Sequence, residues 1–422
     1  MRELTDTGAL EDRLRARPPA HYVTELFTGL HRWSGRIALR AGKRQVTFDE
    51  LLAQSYRIAR ALERMGHSRH EGIVCLTANS PEMVSLRLAA HLLGSRFTAL
   101  NVNVPGDVTG WRGILAATRP AVFLVDRRGA EVLGEPVPGT LTLGVPEAGC
   151  DLLAQAAEES GEPLAPRARE EDIALLVHSQ GTTGPRRGAV HRFSAMDVNW
   201  RRPEEGALGD FPAGITTLAV SPLAGNAGEV ALMLLRQGCT ALLMDDFDPG
   251  RVLATVEAER ITSMYLLSEH LQRLLAHPDV GRTDLSSLRF VPYGNAPVPA
   301  DTVRRAIEVF GPVLTQNYLS SEIRAITLLR QEDHLAASTS RPELLRSVGR
   351  ALPEVEIRIR GPRGEPLPRG VCGEVWLRAP HMMSGYWREP AETARVLRGG
   401  WLHSGDRGRL DEEGYLYLTG RA

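Results

Sequence analysis

The sequence predicts an α/β protein with two layered α/β subdomains of mainly parallel sheet, then a small antiparallel, barrel-like β subdomain. Three observations predict it. From about residue 47 to 345, apolar strand-like runs alternate with amphipathic helical stretches, the pattern of helices packed on parallel sheets. After about residue 346, short strands follow one another across Gly/Pro turns, which suits a small antiparallel unit. The chain has 422 residues, too many for one simple core, so several subdomains are expected. The boundaries fall at residues 1–197, 198–345 and 346–422.

Each element has a local reason. Ile73-Val74-Cys75-Leu76 is an apolar run of strand length. Ser80 then offers an N-cap and Pro81 a first helical position, so a helix is predicted to Leu93. Residues 121–125, 173–177 and 241–244 read as strands, and a helix is predicted from Pro249 to about Arg260. Residues 261–267 and 288–292 continue the alternation. Residues 355–360, 373–378 and 415–418 are the short strands of the β unit, with Gly361-Pro362-Arg363-Gly364 as one of its turns. Segment 158–169 is polar, carries Gly161, Pro163 and Pro166, and reads as a surface connection.

Composition excludes several classes. The net charge of -1 gives no field to attract nucleic acid or an anionic membrane. Cys75, Cys150, Cys239 and Cys372 are far apart and form no CxxC, so neither a disulfide framework nor a zinc site is implied. No apolar run reaches the length of a membrane span, and the first residues are polar. The chain reads as soluble and cytoplasmic. Lys43 is its single lysine; chemistry that needs a lysine must use it or go without.

The most informative stretch is His178-Ser179-Gln180-Gly181-Thr182-Thr183-Gly184-Pro185-Arg186-Arg187-Gly188, directly after an apolar strand. Glycines let backbone N–H groups approach an anion. Hydroxyls and arginines add donors for phosphate oxygens. The stretch is not a Walker A loop, because GxxxxGK[ST] is absent.

With its neighbours, this stretch resembles the adenylate-forming superfamily of acyl-CoA synthetases, adenylation domains and luciferases. The family loop, roughly Ser-Gly-Thr-Thr-Gly-x-Pro-Lys-Gly, aligns with residues 180–188, with Gln180, Arg186 and Arg187 as departures. Tyr293-Gly294-Asn295-Ala296-Pro297 resembles the segment bordering adenine, and Tyr318-Leu319-Ser320-Ser321-Glu322 resembles Tyr-Gly-x-Thr-Glu, with Leu319 departing. Ser404-Gly405-Asp406 and Gly420-Arg421 resemble the ribose-binding segments. Gly373-Glu374-Val375, Ser384-Gly385-Tyr386-Trp387 and Pro390-Ala391-Glu392-Thr393 fill the intervening positions. Taken singly, most of these residues read as core, turn or solvated positions. Five ordered matches do not.

The resemblance implies roles. Thr182, Thr183, Arg187 and Glu322 are the expected catalytic residues, with Glu322 the Mg²⁺ ligand. Ser179, Gly181, Gly184, Gly294, Asn295, Ala296, Pro297, Tyr318, Ser321, Asp406 and Arg421 are expected to hold ATP. Ala224, Gly225, Asn226 and Tyr293 are expected to line the acyl pocket. Small residues at 224 and 225, where amino-acid-activating relatives keep an aspartate, disfavour α-amino acids and favour an aryl or medium acyl group. The implied reaction is attack of a carboxylate on the α-phosphorus of ATP, with pyrophosphate leaving. A thioester to coenzyme A or to the pantetheine of an acyl carrier protein is expected next. Alternatives are activation of another small anion with an amine acceptor, or a nucleotide-binding pseudoenzyme module. The family's small C-terminal domain, on the order of a hundred residues, is expected to be absent here. It carries a lysine used in adenylation, so the chain alone is expected to be impaired. Lys43, in the polar turn Ala41-Gly42-Lys43-Arg44-Gln45, is expected on a solvated surface.

Overall fold

A computed structural model describes residues 19–103, 108–135, 137–178, 186–200 and 214–421. Four sheets organise them. The first runs Leu141–Thr142, Val122–Val125, Gly72–Thr77, Arg96–Asn101, Ile173–His178 and Gly188–Arg192, parallel throughout except for the last pair. The second runs Ser263–Met264, Thr216–Ala219, Thr240–Leu243, Ile37–Ala41 and Arg44–Thr47, again parallel until its last pair. The third runs Leu266–Leu267, Val291–Gly294, Leu314–Ser320, Arg324–Leu329 and Arg350–Ala351. The fourth is antiparallel and curled, with Glu356–Arg360, Gly373–Arg378 and Trp401–Leu410 in order. Both Leu397–Arg398 and Leu416–Arg421 pair with Trp401–Leu410. The α/β class and the terminal β unit match the sequence expectation.

Helix Pro81–Leu93 starts where its cap chemistry places it. The Ser80 side chain accepts from the Met83 N–H, and Gly94 ends the helix in left-handed backbone at φ 71°. Helix Phe48–Arg64 opens on a capping box between Thr47 and Glu50. Both bury their apolar faces in a core that includes Phe48, Leu62, Ile73, Leu86 and Phe97. Leu232, Leu235 and Ala241 join this core, so it continues from the first sheet to the second.

Two details depart from the sequence reading. Hairpin Ile37–Ala41/Arg44–Thr47, expected in the first subdomain, completes the second sheet through Leu39↔Ala241. The expected break near residue 197 is therefore not a break in sheet pairing. The run 261–267, expected as one strand, divides at Tyr265. Ser263–Met264 joins the second sheet and Leu266–Leu267 the third. Lys43 sits exposed in the hairpin turn, after Gly42 at φ 58°, as expected. Segment 158–169 lies on the surface apart from Ala168, which is buried in the core, and Arg60 donates to the carbonyls of Ser160 and Glu162. Among the described residues, no helix is long and apolar enough to cross a membrane.

Candidate active site

The site forms where the first, third and fourth sheets meet. Ser179, Gln180, Gly181, Thr182, Thr183 and Gly184 lie outside the described residues. The strands on either side of them do not: Ile173–His178 and Gly188–Arg192 pair antiparallel, His178 against Gly188. The segment Ser384-Gly385-Tyr386-Trp387 runs along the second of these strands. Val190 N–H donates to the Gly385 carbonyl at 2.9 Å, and Trp387 N–H to that of Gly188 at 2.8 Å. The fourth-sheet region is thereby fixed beside the strand Gly188–Arg192.

Tyr318, Asp406 and Arg421 come together although they are far apart in sequence. The Tyr318 hydroxyl donates to Asp406 Oδ2. Arg421 Nη1 donates to Asp406 Oδ1 at 2.5 Å, and the two residues are cross-strand partners. Local chemistry aims the carboxylate. Gly405 takes φ 70°, a conformation that suits glycine. The register shifts opposite Glu374 and Trp376, and such bulges re-aim side chains. Ser404 Oγ donates to the Val375 carbonyl at 2.7 Å and accepts from Asp406 N–H at 3.0 Å. Burial, followed by the Asp406 carboxylate, holds the Tyr318 phenol well above its ordinary value. It stays a neutral donor with an aromatic face.

Glu322 sits at the tip of the hairpin Leu314–Ser320/Arg324–Leu329. Its Oε1 accepts from the Tyr386 hydroxyl at 2.7 Å, and its carbonyl accepts from Met383 N–H at 2.7 Å. Among the described residues, no arginine or histidine lies within ion-pair distance of Glu322. A carboxylate held from one side fits a hard cation that also binds phosphate oxygens. Ser321 is fixed beside it: its carbonyl accepts from His191 Nε2 at 2.7 Å. Burial pushes the His191 imidazole down to about 3, so the ring is neutral and Nε2 carries the proton.

The segment 294–297 borders this cleft. A Cβ on Gly294 would lie 2.6 Å from the Asn317 carbonyl oxygen, so only glycine lets the two strands approach. Asn295 takes φ 80°. The buried Ser268 hydroxyl reaches the Gly294 and Ala296 carbonyls at 2.9 and 2.6 Å. Ser268 was not legible as a site residue; a serine opening a helix is an ordinary signal.

Two expected roles look different in the structure. Arg187 does not present a free cation. Its Nε donates to Glu389 at 2.9 Å, its Nη2 lies 3.2 Å from Glu392, and its guanidinium sits 5.8 Å from the Tyr386 ring centre. Two carboxylates answer one arginine, because the bridge between Ala189 and Tyr386 carries the start of helix Pro390–Val396, with Glu389 as its N-cap and Glu392 in its first turn, to that side. Tyr293, expected in the acyl pocket, has no exposed surface and packs in the second core. Its hydroxyl faces Gln316 at 3.2 Å and His334 at 3.0 Å, so it supports the strand. Gly225 precedes the helix Asn226–Arg236, and the Asn226 side chain accepts from Arg324 at 3.3 Å.

This fold, with an aromatic, a carboxylate and an arginine clamped together beside a hairpin-tip glutamate, is that of an adenylate-forming enzyme. A model of the AMP-binding enzyme family matches residues 26–387, and the chain belongs to that family. It is 32% identical to a feruloyl-CoA synthase from Amycolatopsis sp over 386 residues, covering 91% of this chain and 75% of that protein. It is 29% identical to the medium/long-chain-fatty-acid–CoA ligase FadD8 of Mycobacterium tuberculosis, covering 99% and 74%. Among solved structures, the amide bond synthetase McbA from Marinactinospora thermotolerans superposes with a TM-score of 0.83 at 37% identity, covering 95% of this chain and 79% of that one. The protein is an AMP-forming acid ligase: it activates a carboxylic acid as an acyl-AMP.

Proposed function

We propose that the acid is an aryl or medium-length acyl carboxylate, and that its adenylate passes next to a thiol. The single observation carrying the nucleotide part of this reading is the Tyr318–Asp406–Arg421 clamp. The Tyr318 ring stacks on adenine. Asp406 accepts from the ribose hydroxyls, and Arg421 turns to the ribose as it leaves the carboxylate. The backbone of residues 294–297 borders the base. Ser321 and the 180–188 loop, Thr182 and Thr183 included, donate to the phosphates. Glu322 would hold Mg²⁺, which supplies charge neutralisation at the phosphates when bound. Little covalent work falls to the chain. It aligns the carboxylate with the α-phosphorus and keeps the leaving pyrophosphate hydrogen-bonded.

The acyl-pocket part rests on small residues at Ala224 and Gly225 and on the similarity to a feruloyl-CoA synthase. Coenzyme A is the first acceptor to test, with a carrier-protein pantetheine second. We place the reaction in the cytoplasm, where ATP and coenzyme A are supplied. A second reading, with an amine as acceptor, is favoured by the 37% identity to an amide bond synthetase.

The test is ATP–pyrophosphate exchange on the complete gene product with hydroxycinnamic, benzoic and medium-chain acids. Product analysis with coenzyme A or simple amines follows. Acid-dependent exchange is expected, followed by thioester. Amide formation without thioester would move the acceptor to the second reading. Nucleotide binding without exchange for any acid would leave a non-catalytic module.

A further inference from the structure

Arg324 occupies a position that needs an explanation. It follows the hairpin tip carrying Glu322, and its φ is 62°. Hairpin corners normally give that conformation to glycine. A non-glycine residue held there is strained, and such strain concentrates at functional sites. Its side chain is only 8% exposed. A guanidinium has five N–H donors. Here its partners among the described residues are Asn226 Oδ1 at 3.3 Å and Glu229 Oε1 at 3.8 Å, both long contacts.

Among the described residues, the charges around it do not cancel. Arg87, equally buried, already pairs closely with Glu229. Gly228 makes room for that pair: a Cβ there would lie 2.5 Å from Arg87 Nη1. Tyr22 lies among these groups as a neutral phenol, pushed up by burial to about 12. His91 and His191 are held neutral by burial and by the arginines. Among the described residues, two guanidinium groups therefore face one carboxylate, and the excess charge lies on Arg324, beside Asn226. Burial pushes both arginines down only to about 10, so both stay charged at neutral pH. An uncompensated buried cation is costly unless a ligand supplies the anion.

We propose that Arg324 is a specificity-determining residue that receives a carboxylate of the acid at the inner end of the acyl pocket. This rests on the reading that Asn226 borders that pocket. Arg87 lies much nearer to Glu229 than Arg324 does, and the Arg324 fork, held among the described residues by long contacts alone, can take a planar carboxylate, a match in geometry as well as charge. The carboxylate is either the reacting one or a second one on the acyl group. Sequence spacing could not show this, because residues 87, 229 and 324 come from three separate segments.

The test is calorimetric binding of benzoate, benzamide and terephthalate to the chain saturated with a non-hydrolysable ATP analogue, for wild type and R324M. Wild type is expected to prefer benzoate over benzamide by about tenfold to a hundredfold, the worth of one charge-assisted pair. R324M is expected to lose that preference while still binding the ATP analogue. A further gain for terephthalate, also lost in R324M, would assign the site to a second carboxylate. Thermal unfolding is the control. R324M leaves Arg87 and Glu229 as a balanced pair, so its melting temperature should equal or exceed that of wild type. R324M that keeps both the preference for benzoate over benzamide and any gain for terephthalate, whatever its melting temperature, overturns the proposal alone. Wild type that binds the ATP analogue but none of the three compounds overturns the aryl-acid reading together with it.

Discussion

The Tyr318 hydroxyl donates to Asp406 across 88 residues of sequence, while Arg421 takes the other oxygen of the same carboxylate. Ribose hydroxyls must displace or share one of these partners. The Arg421 side chain is 68% exposed, and exposed pairs contribute little, so Arg421 is the partner that yields. Asp406→Ala is expected to weaken binding of ATP or an acyl-AMP mimic by about 1–3 kcal/mol, as loss of charge-assisted bonds to hydroxyls. Calorimetry checks it; unchanged affinity would remove Asp406 from the nucleotide site.

Glu322→Gln is expected to impair adenylation more than nucleotide binding. A neutral amide is a poor ligand for a hard cation. Exchange rate against Mg²⁺ concentration should shift to higher Mg²⁺. A curve that overlays wild type would exclude Glu322 as the ligand.

Glu229→Gln should be among the most destabilising single changes in the chain. It would leave the buried Arg87 and Arg324 without a counter-charge, a loss of about 3–5 kcal/mol for a broken buried pair. Denaturant unfolding measures it, and a variant as stable as wild type would contradict the charge count given for this cluster.

Lys43→Ala should change neither ATP binding nor acid-dependent exchange, because the residue is exposed at a hairpin turn in the second sheet. Loss of exchange in this variant would mean that the turn reaches the reacting groups.

The stability of the protein should fall with acid. Burial pushes the imidazoles of His178, His270 and His334 down to about 4 and that of His191 to about 3. Histidines kept neutral by the fold bind protons more readily when unfolded. Their contribution is complete above the unfolded value of 6.5 and is lost as pH falls from there towards 4. Asp126 and Asp172, whose carboxyls burial raises, act in the opposite sense, but they are two groups against seven, because burial also lowers His67, His91 and His403. The melting temperature is expected to drop between about pH 7 and pH 5; a flat profile would show that these rings are reached by water.

What the sequence revealed divides along physical lines. Helix Pro81–Leu93 was legible to the residue, because Ser80 and Pro81 act on their own neighbours. The order of Tyr318, Glu322, Asp406 and Arg421 was legible as motif, and the structure brings the first and the last two together. The state of Arg187 was not legible. Its neutralisation depends on a pairing between residues 189 and 386 that no local pattern encodes. Tyr293 was misplaced for a related reason: a motif tells which strand a residue belongs to, but which face it buries depends on what packs behind it. Arg324 escaped notice because arginine is ordinary on a strand; its left-handed backbone and its buried charge exist only once the chain is folded.

The hairpin at residues 37–47 has a consequence for synthesis. Its outer contact, from Thr240 Oγ1 to the Ile37 carbonyl, spans 203 residues. At translation rates of about 5–20 residues per second, strand Ile37–Ala41 waits on the order of 10–40 s for its partner strand to emerge. Throughout that interval its edge is an open template for another nascent chain. Fragments that stop before residue 240 should therefore aggregate on the ribosome's timescale, whereas slowing translation before that point should lengthen the hazard rather than relieve it.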